Sequence, residues 1–224
     1  MDALAVVCLL RTKSFKRYPT ICLFLISSCA VTITSFSILA TYGYESRQYY
    51  YFYFYSDAVM TIFLFFVLME LYAHVFAELG VGKYVRIGAT VILVGTALVS
   101  LKVVAGSHGR MLPMFAMQLS QNLYFVGLVL TYVLWGAVMK LRETRTRLIQ
   151  LVLSLGVFFS AFAASYALGN LYPSSTLWRY VAPILGICLP AAWAYTFSQI
   201  KEDARLAVAS VAASGPISNS MANR

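Results

Sequence analysis

Charge is scarce in this sequence. Asp, Glu, Lys and Arg together make up 11% of 224 residues, whereas a soluble domain carries about a quarter. With 61% of the residues hydrophobic, that scarcity excludes a soluble globular fold and leaves no stretch for a separate soluble domain. Acid is scarcer still, eight Asp and Glu against seventeen Lys and Arg, yet the basic residues form no single stripe or domain of the kind a nucleic-acid reader needs. Nucleic acid is therefore not an expected partner.

Histidine occurs only twice and cysteine four times. Cys8, Cys22, Cys29 and Cys188 all fall in apolar stretches, which speaks against a disulfide framework and for small buried hydrophobes. His74 and His108 lie on different stretches with no thiol beside either, so neither a metal site nor a cofactor is expected. No G-x-S-x-G or H-E-x-x-H pattern is present, and Gly80-Val81-Gly82-Lys83 continues into Tyr84, without the spacing or the hydroxyl of a phosphate loop. The last apolar run holds no lysine before Lys201, which argues against a retinal protein. No inverted repeat with matching broken helices is visible. No catalytic residue can be named, and a non-enzymatic protein is expected.

What the sequence does have is long apolar runs. A span needs about 20 residues, and runs of that order at 20–42, 49–76, 84–105, 113–139, 148–169 and 180–200 predict an all-α, polytopic transmembrane helix bundle with short loops. Residues 1–10 are too short to span. Followed by Arg11, Lys13, Lys16 and Arg17, they read as the cytoplasmic half of a first helix whose beginning is missing, or else as an interfacial helix. Counting that piece gives seven segments, with a short, mostly disordered tail over 201–224.

The loop charges predict orientation, because Lys and Arg are retained on the cytoplasmic side. Alternate loops hold thirteen basic residues (Arg11, Lys13, Lys16, Arg17, Lys83, Arg86, Lys140, Arg142, Arg145, Arg147, Lys201, Arg205, Arg224) against four (Arg47, Lys102, Arg110, Arg179). This predicts an N-out, C-in protein integral to a membrane, taken as a bacterial cytoplasmic membrane. The run from Tyr49 to Tyr55 suits a headgroup-level aromatic belt.

Helix contacts are expected along two small-residue rows of the sixth segment: Gly156, Ser160 and Ala164, and beside them Ala161, Ser165 and Gly169. In the seventh segment Pro190 lies mid-span, removes a backbone hydrogen bond and is a candidate hinge.

Ionisable and amide residues inside spans are the candidates for function, since each is costly there unless paired or wetted. Glu70 and His74, four residues apart on one helix face, form a candidate proton-responsive pair, a carboxyl beside an imidazole of the kind that titrates near neutrality. A structural tie to a neighbouring helix is the alternative. Asp57, about 20 Å of helix rise from Glu70, cannot join them. At similar depth in antiparallel order, Asp57, Lys102, Gln118, Gln121 and Asn122 predict an outward-open pocket for a small polar or amphipathic ligand. The alternative is that Lys102 snorkels to the headgroups and the amides tie helices together.

Through Arg17-Tyr18-Pro19, Tyr53-Phe54-Tyr55-Ser56-Asp57 and Glu70 to His74-Val75-Phe76, the chain resembles a group of uncharacterised seven-span bacterial membrane proteins of acidobacterial type. The resemblance implies the fold and carries no activity. The predicted architecture is also similar to the seven-span sensor modules joined to bacterial histidine kinases and cyclases, here without an output domain. The leading expectation is thus a receptor or sensor-type module, in contact with lipid and with a cytoplasmic or membrane signalling partner. A small secondary transporter or proton-coupled carrier, and a scaffold subunit of a membrane complex, are the alternatives.

Overall fold

The computed structural model describes residues 6–7, 17–43, 46–77, 82–105, 111–140, 145–172 and 178–200. They form helices α1 (Pro19–Tyr42), α2 (Arg47–Val75), α3 (Gly82–Ala105), α4 (Met111–Lys140), α5 (Thr146–Leu171) and α6 (Trp178–Gln199). Five of these, α1 to α5, are long and apolar enough to cross a membrane. The chain is an all-α bundle with the composition of an integral membrane protein. Apart from residues 6–7, the segment at 1–10 lies outside the described residues, as does the tail over 201–224.

Local chemistry sets the helix ends. Pro19 opens α1, where a missing N–H would have had no intrahelical partner and the fixed φ suits the helix. At the other end Gly43 adopts φ 78° and its N–H returns to the Leu39 carbonyl at 3.0 Å; the left-handed backbone there favours glycine. Ser46 caps α2 by accepting from the Tyr49 N–H at 3.1 Å, the usual service of a serine at that position.

α2 is the centre of the bundle, lying along both α1 and α4 and touching α3 and α5; α4 packs on α3 and α5, and α5 on α6. Its buried face runs through Leu64, Val67, Leu68 and Leu71 and meets Ile21 and Leu25 of α1, Leu134 of α4 and Leu151, Leu155 and Phe159 of α5 in one core. The outward faces are apolar as well: Ile33 and Phe36 on α1, Val91 and Leu98 on α3, Val129 and Val133 on α4 are all exposed. A bundle in lipid has no reason to hide such residues, so close packing and polar ties must select which faces turn inward.

Two such ties are visible in the core. The Tyr72 hydroxyl of α2 donates to the Leu130 carbonyl of α4 at 2.5 Å, and the indole N–H of Trp193, wholly buried on α6, donates to Ser154 Oγ of α5 at 3.0 Å. Close approach of α4 and α5 is set at Gly127, where a Cβ would overlap the Phe159 ring, and at Gly156, where it would lie 3.0 Å from Thr131 Cγ2. The rest of the predicted small-residue face is less enclosed. Ser160 and Ser165 turn their hydroxyls to the carbonyls of Gly156 and Ala161 on their own helix, Ala161 and Gly169 are half-buried and Ala164 is exposed.

The buried contacts of α1 stop at Leu25. Farther along, Thr32, Thr34, Ser37 and Thr41 each bond the carbonyl four residues back, which lets hydroxyls face an apolar medium without other partners. The second half of α1 is thus a loosely covered flank of the bundle. Pro190 is buried within α6, and helical structure continues on both sides of it.

Gly127→Leu is expected to lower the thermal midpoint of the detergent-solubilised protein by an amount equivalent to about 1–3 kcal/mol, the usual cost of overpacking. Gly88→Leu, at a glycine with open space beside it, is expected to leave the midpoint unchanged. Paired melts of the two variants check this.

Candidate functional site

At the end of the bundle where α1 begins, charged side chains close helix termini across helix boundaries. Glu70, near the end of α2, accepts from the Thr20 backbone N–H at 3.2 Å with one carboxylate oxygen, and the same oxygen receives the Thr20 hydroxyl. The Tyr18 side chain at the N-cap makes no capping bond to the first turn, and the carboxylate of a neighbouring helix does the capping. Its negative charge also sits at the positive end of the α1 dipole.

His74 belongs to the same arrangement. Its ring stacks on Tyr18 with centroids 5.0 Å apart, and its Nδ1 lies 2.9 Å from the Glu70 carbonyl oxygen of its own helix. The two side chains share a face, as the spacing predicts, yet each engages the entry to α1. Both also line a cleft of about 730 Å³ with Pro19, Thr20, Phe63 and Leu93.

Two arginines complete this end. Arg145 donates through Nη2 to the His74 carbonyl at 3.2 Å, in the last turn of α2. Arg147, only 4% exposed, donates from Nε to the Ile200 carbonyl at 3.0 Å and from Nη2 to the same oxygen, with its guanidinium 5.6 Å from the Phe197 ring centroid. Cations at helix C-termini satisfy carbonyls that have no partner within the helix.

A different polar group forms around Asp57. The Tyr124 hydroxyl of α4 donates to Oδ1 and the Tyr166 hydroxyl of α5 to Oδ2, each at 3.5 Å. Both are long for a bond from a hydroxyl, whose usual length is about 2.7–2.8 Å. Ser120 of α4, 0% exposed, lies near enough for its hydroxyl to interact with the same carboxyl group, without reaching good hydrogen-bond geometry. The rings around the site form one stack, with Tyr124 against Phe162 at 4.7 Å and against Tyr166 at 5.6 Å. On the α1 side a cleft of about 230 Å³ reaches Asp57, lined also by Val31, Ser35, Tyr53, Met60 and Phe162.

The residues expected to share a pocket with Asp57 lie elsewhere. Lys102 is exposed on α3, and among the described residues no hydrogen bond or ion pair joins it to Asp57. Asn122 donates to Ser100 Oγ of α3 at 2.9 Å and accepts from Gln118 Nε2 at 3.3 Å, while Ser100 in turn bonds the Thr96 carbonyl. These amides form a tie between α3 and α4. Gln121 is half-buried. Sequence reasoning passed over Ser120, Tyr124 and Tyr166. The signal was available in part: Ser120 and Tyr124 stand four residues apart on one face of a helix, but nothing marks which face meets α2.

Among the described residues no group of three or more His, Cys, Asp or Glu is placed to hold a metal ion. No protein-family model, curated protein or solved structure matches this chain. Function therefore has to be argued from the two polar centres themselves.

Replacing Glu70 by Ala is expected to destabilise the bundle by about 0.5–2 kcal/mol, as loss of a helix cap does, and to speed amide exchange at Thr20 and Ile21. Hydrogen exchange of the protein in micelles would check the locality of the effect. Equal acceleration throughout α1 and α2 would count against a capping role.

Proposed function

We propose that this protein is a non-enzymatic, ligand-binding membrane module of receptor or sensor type, with its site at Asp57. The observation that carries the reading is the position of that carboxyl group. It stands where α2, α4 and α5 meet and is reached through a cleft flanked by α1. A ligand there touches several helices at once, and it can bias the bundle if it binds one arrangement of them better than another. The loosely held carboxyl, met by tyrosine hydroxyls only at 3.5 Å, favours a site that a ligand completes.

In this reading the chain crosses a bacterial cytoplasmic membrane with seven segments, N-terminus out and C-terminus in, as the thirteen-to-four division of basic residues supports. The site then opens in the outer half. Signal would pass to a cytoplasmic or membrane partner at the inner end, with Lys140, exposed at the end of α4, free to meet it. Pro190 is the candidate hinge: it lacks the N–H that would hold α6 straight, and α6 is hung from α5 by the Trp193–Ser154 bond.

A proton-coupled carrier is the second reading, favoured by the cleft that Glu70 and His74 line together. The bond of Glu70 to the start of α1 weighs against it. The carrier reading requires flux in reconstituted vesicles that changes its pH dependence in Glu70→Gln.

The test of the leading reading is native mass spectrometry of the full chain purified gently from its own membranes. A small molecule retained by the wild type should be lost from Asp57→Asn and kept by Lys102→Met. Retention by both variants, or loss from Lys102→Met alone, would overturn Asp57 as the centre of the site.

A further inference from the structure

Deepening the ligand-site reading, on which it rests, we infer that the Asp57 cleft binds a small organic cation, a quaternary or protonated amine.

The first argument is charge. A carboxylate within a span is expensive unless it is paired. Among the described residues no Lys, Arg or His side chain forms an ion pair with Asp57, its tyrosine partners stand at 3.5 Å, and Ser120 beside it reaches no bond of good geometry. A carboxylate accepts at about four positions, so acceptor capacity is left facing the cleft. A cation supplies what the fold omits, whereas an anion would meet a like charge.

The second argument is the wall. Besides Asp57, the cleft is lined by Tyr53, Phe162, Met60 and Val31, with Ser35 and Ser56 as further polar groups. Aromatic rings attract cations through their faces, and ammonium ligands with methyl or methylene surface gain from the same contact. A metal ion would instead want a shell of oxygens, which apolar carbon does not provide. The volume of about 230 Å³ lies below the roughly 300–1,000 Å³ of sites for drug-sized ligands, which restricts the ligand to a headgroup-sized ion.

The third argument is the Ser120 hydroxyl, fully buried beside the carboxyl group but not drawn into a bond of good geometry with it. It stands next to the one carboxyl group a cation would approach. Drawing Asp57 into a firm ion pair gives Ser120, Tyr124 and Tyr166 a fixed acceptor. The ammonium group could belong to a free solute or to a lipid headgroup; the recognition chemistry is shared.

The full chain in phosphatidylglycerol nanodiscs, which contain no ammonium headgroup, is titrated with choline chloride and tetramethylammonium chloride while thermal unfolding is followed. Sodium chloride at equal ionic strength and 3,3-dimethyl-1-butanol, the uncharged isostere of choline, are the controls. Both ammonium ions are expected to raise the midpoint saturably and the controls are not. Asp57→Asn should weaken the effect at least about thirtyfold, the scale of breaking a buried charge pair. Should that variant fail to fold, Ser35→Phe, which fills the cleft from α1 without touching the carboxyl group, must abolish the shift.

No saturable shift with either ammonium ion, or one unchanged in the variant tested, overturns the inference. Binding of the neutral isostere as tight as choline, lost in Ser35→Phe, overturns the cation while leaving the ligand site standing. Competition by phosphatidylcholine in the disc identifies a headgroup as the source, and its absence a free solute; either supports the cation.

Discussion

A helix that ends inside or at the edge of a bilayer leaves backbone groups without partners, and in this bundle charged side chains from neighbouring helices supply them. Glu70 closes the start of α1, Arg145 reaches the last turn of α2, and Arg147 takes the final carbonyl beyond α6. These contacts cross helix boundaries, so they fix the heights of the helices relative to one another as well as satisfying individual groups. The apolar surfaces alone would not do so, because in lipid an outward Leu is as well solvated as an inward one. With one end pinned in this way, α2 can serve as the shared wall for α1 and α4 and as a neighbour of α3 and α5.

The opposite half of the bundle is built differently. There α1 runs on past its last buried residues with its hydroxyls turned back on its own carbonyls, and the space it leaves uncovered leads to Asp57. Rings from α4 and α5 stack around that carboxyl group, yet their hydroxyls reach it only at long distance. The contrast is informative. Where Glu70 is held by a backbone N–H and a hydroxyl on one oxygen, Asp57 is met by tyrosine hydroxyls at 3.5 Å and by a buried serine hydroxyl that reaches no good bond geometry. One carboxylate is engaged by the start of a neighbouring helix, and the other faces a cleft.

The two candidate groups read from the sequence fared unequally for the same reason. Glu70 and His74 were placed together because helical spacing is fixed by the backbone, and four residues always return to the same face. The group around Asp57 was assembled by depth alone, which helical rise predicts, without the rotation of each helix about its axis, which it does not. Asp57 turns toward α4 and α5, Lys102 turns outward from α3, and Asn122 is taken up by Ser100. Thus Ser120, Tyr124 and Tyr166 became its neighbours, although nothing in their spacing distinguishes them from structural residues.

Hydropathy and length by themselves determined that this chain is all-α and built from helices long and apolar enough to cross a membrane, because unpaired backbone in lipid is costly and a helix satisfies its own. They also located the six helices to within a few residues. Tertiary structure decided which face of each helix looks inward, and hence which carboxylate caps a neighbour and which lines a cleft. When both faces of a helix are apolar, the choice between them is made by contacts such as Gly127 against Phe159 and Trp193 on Ser154, which join residues far apart in the chain and leave no period in the sequence to read.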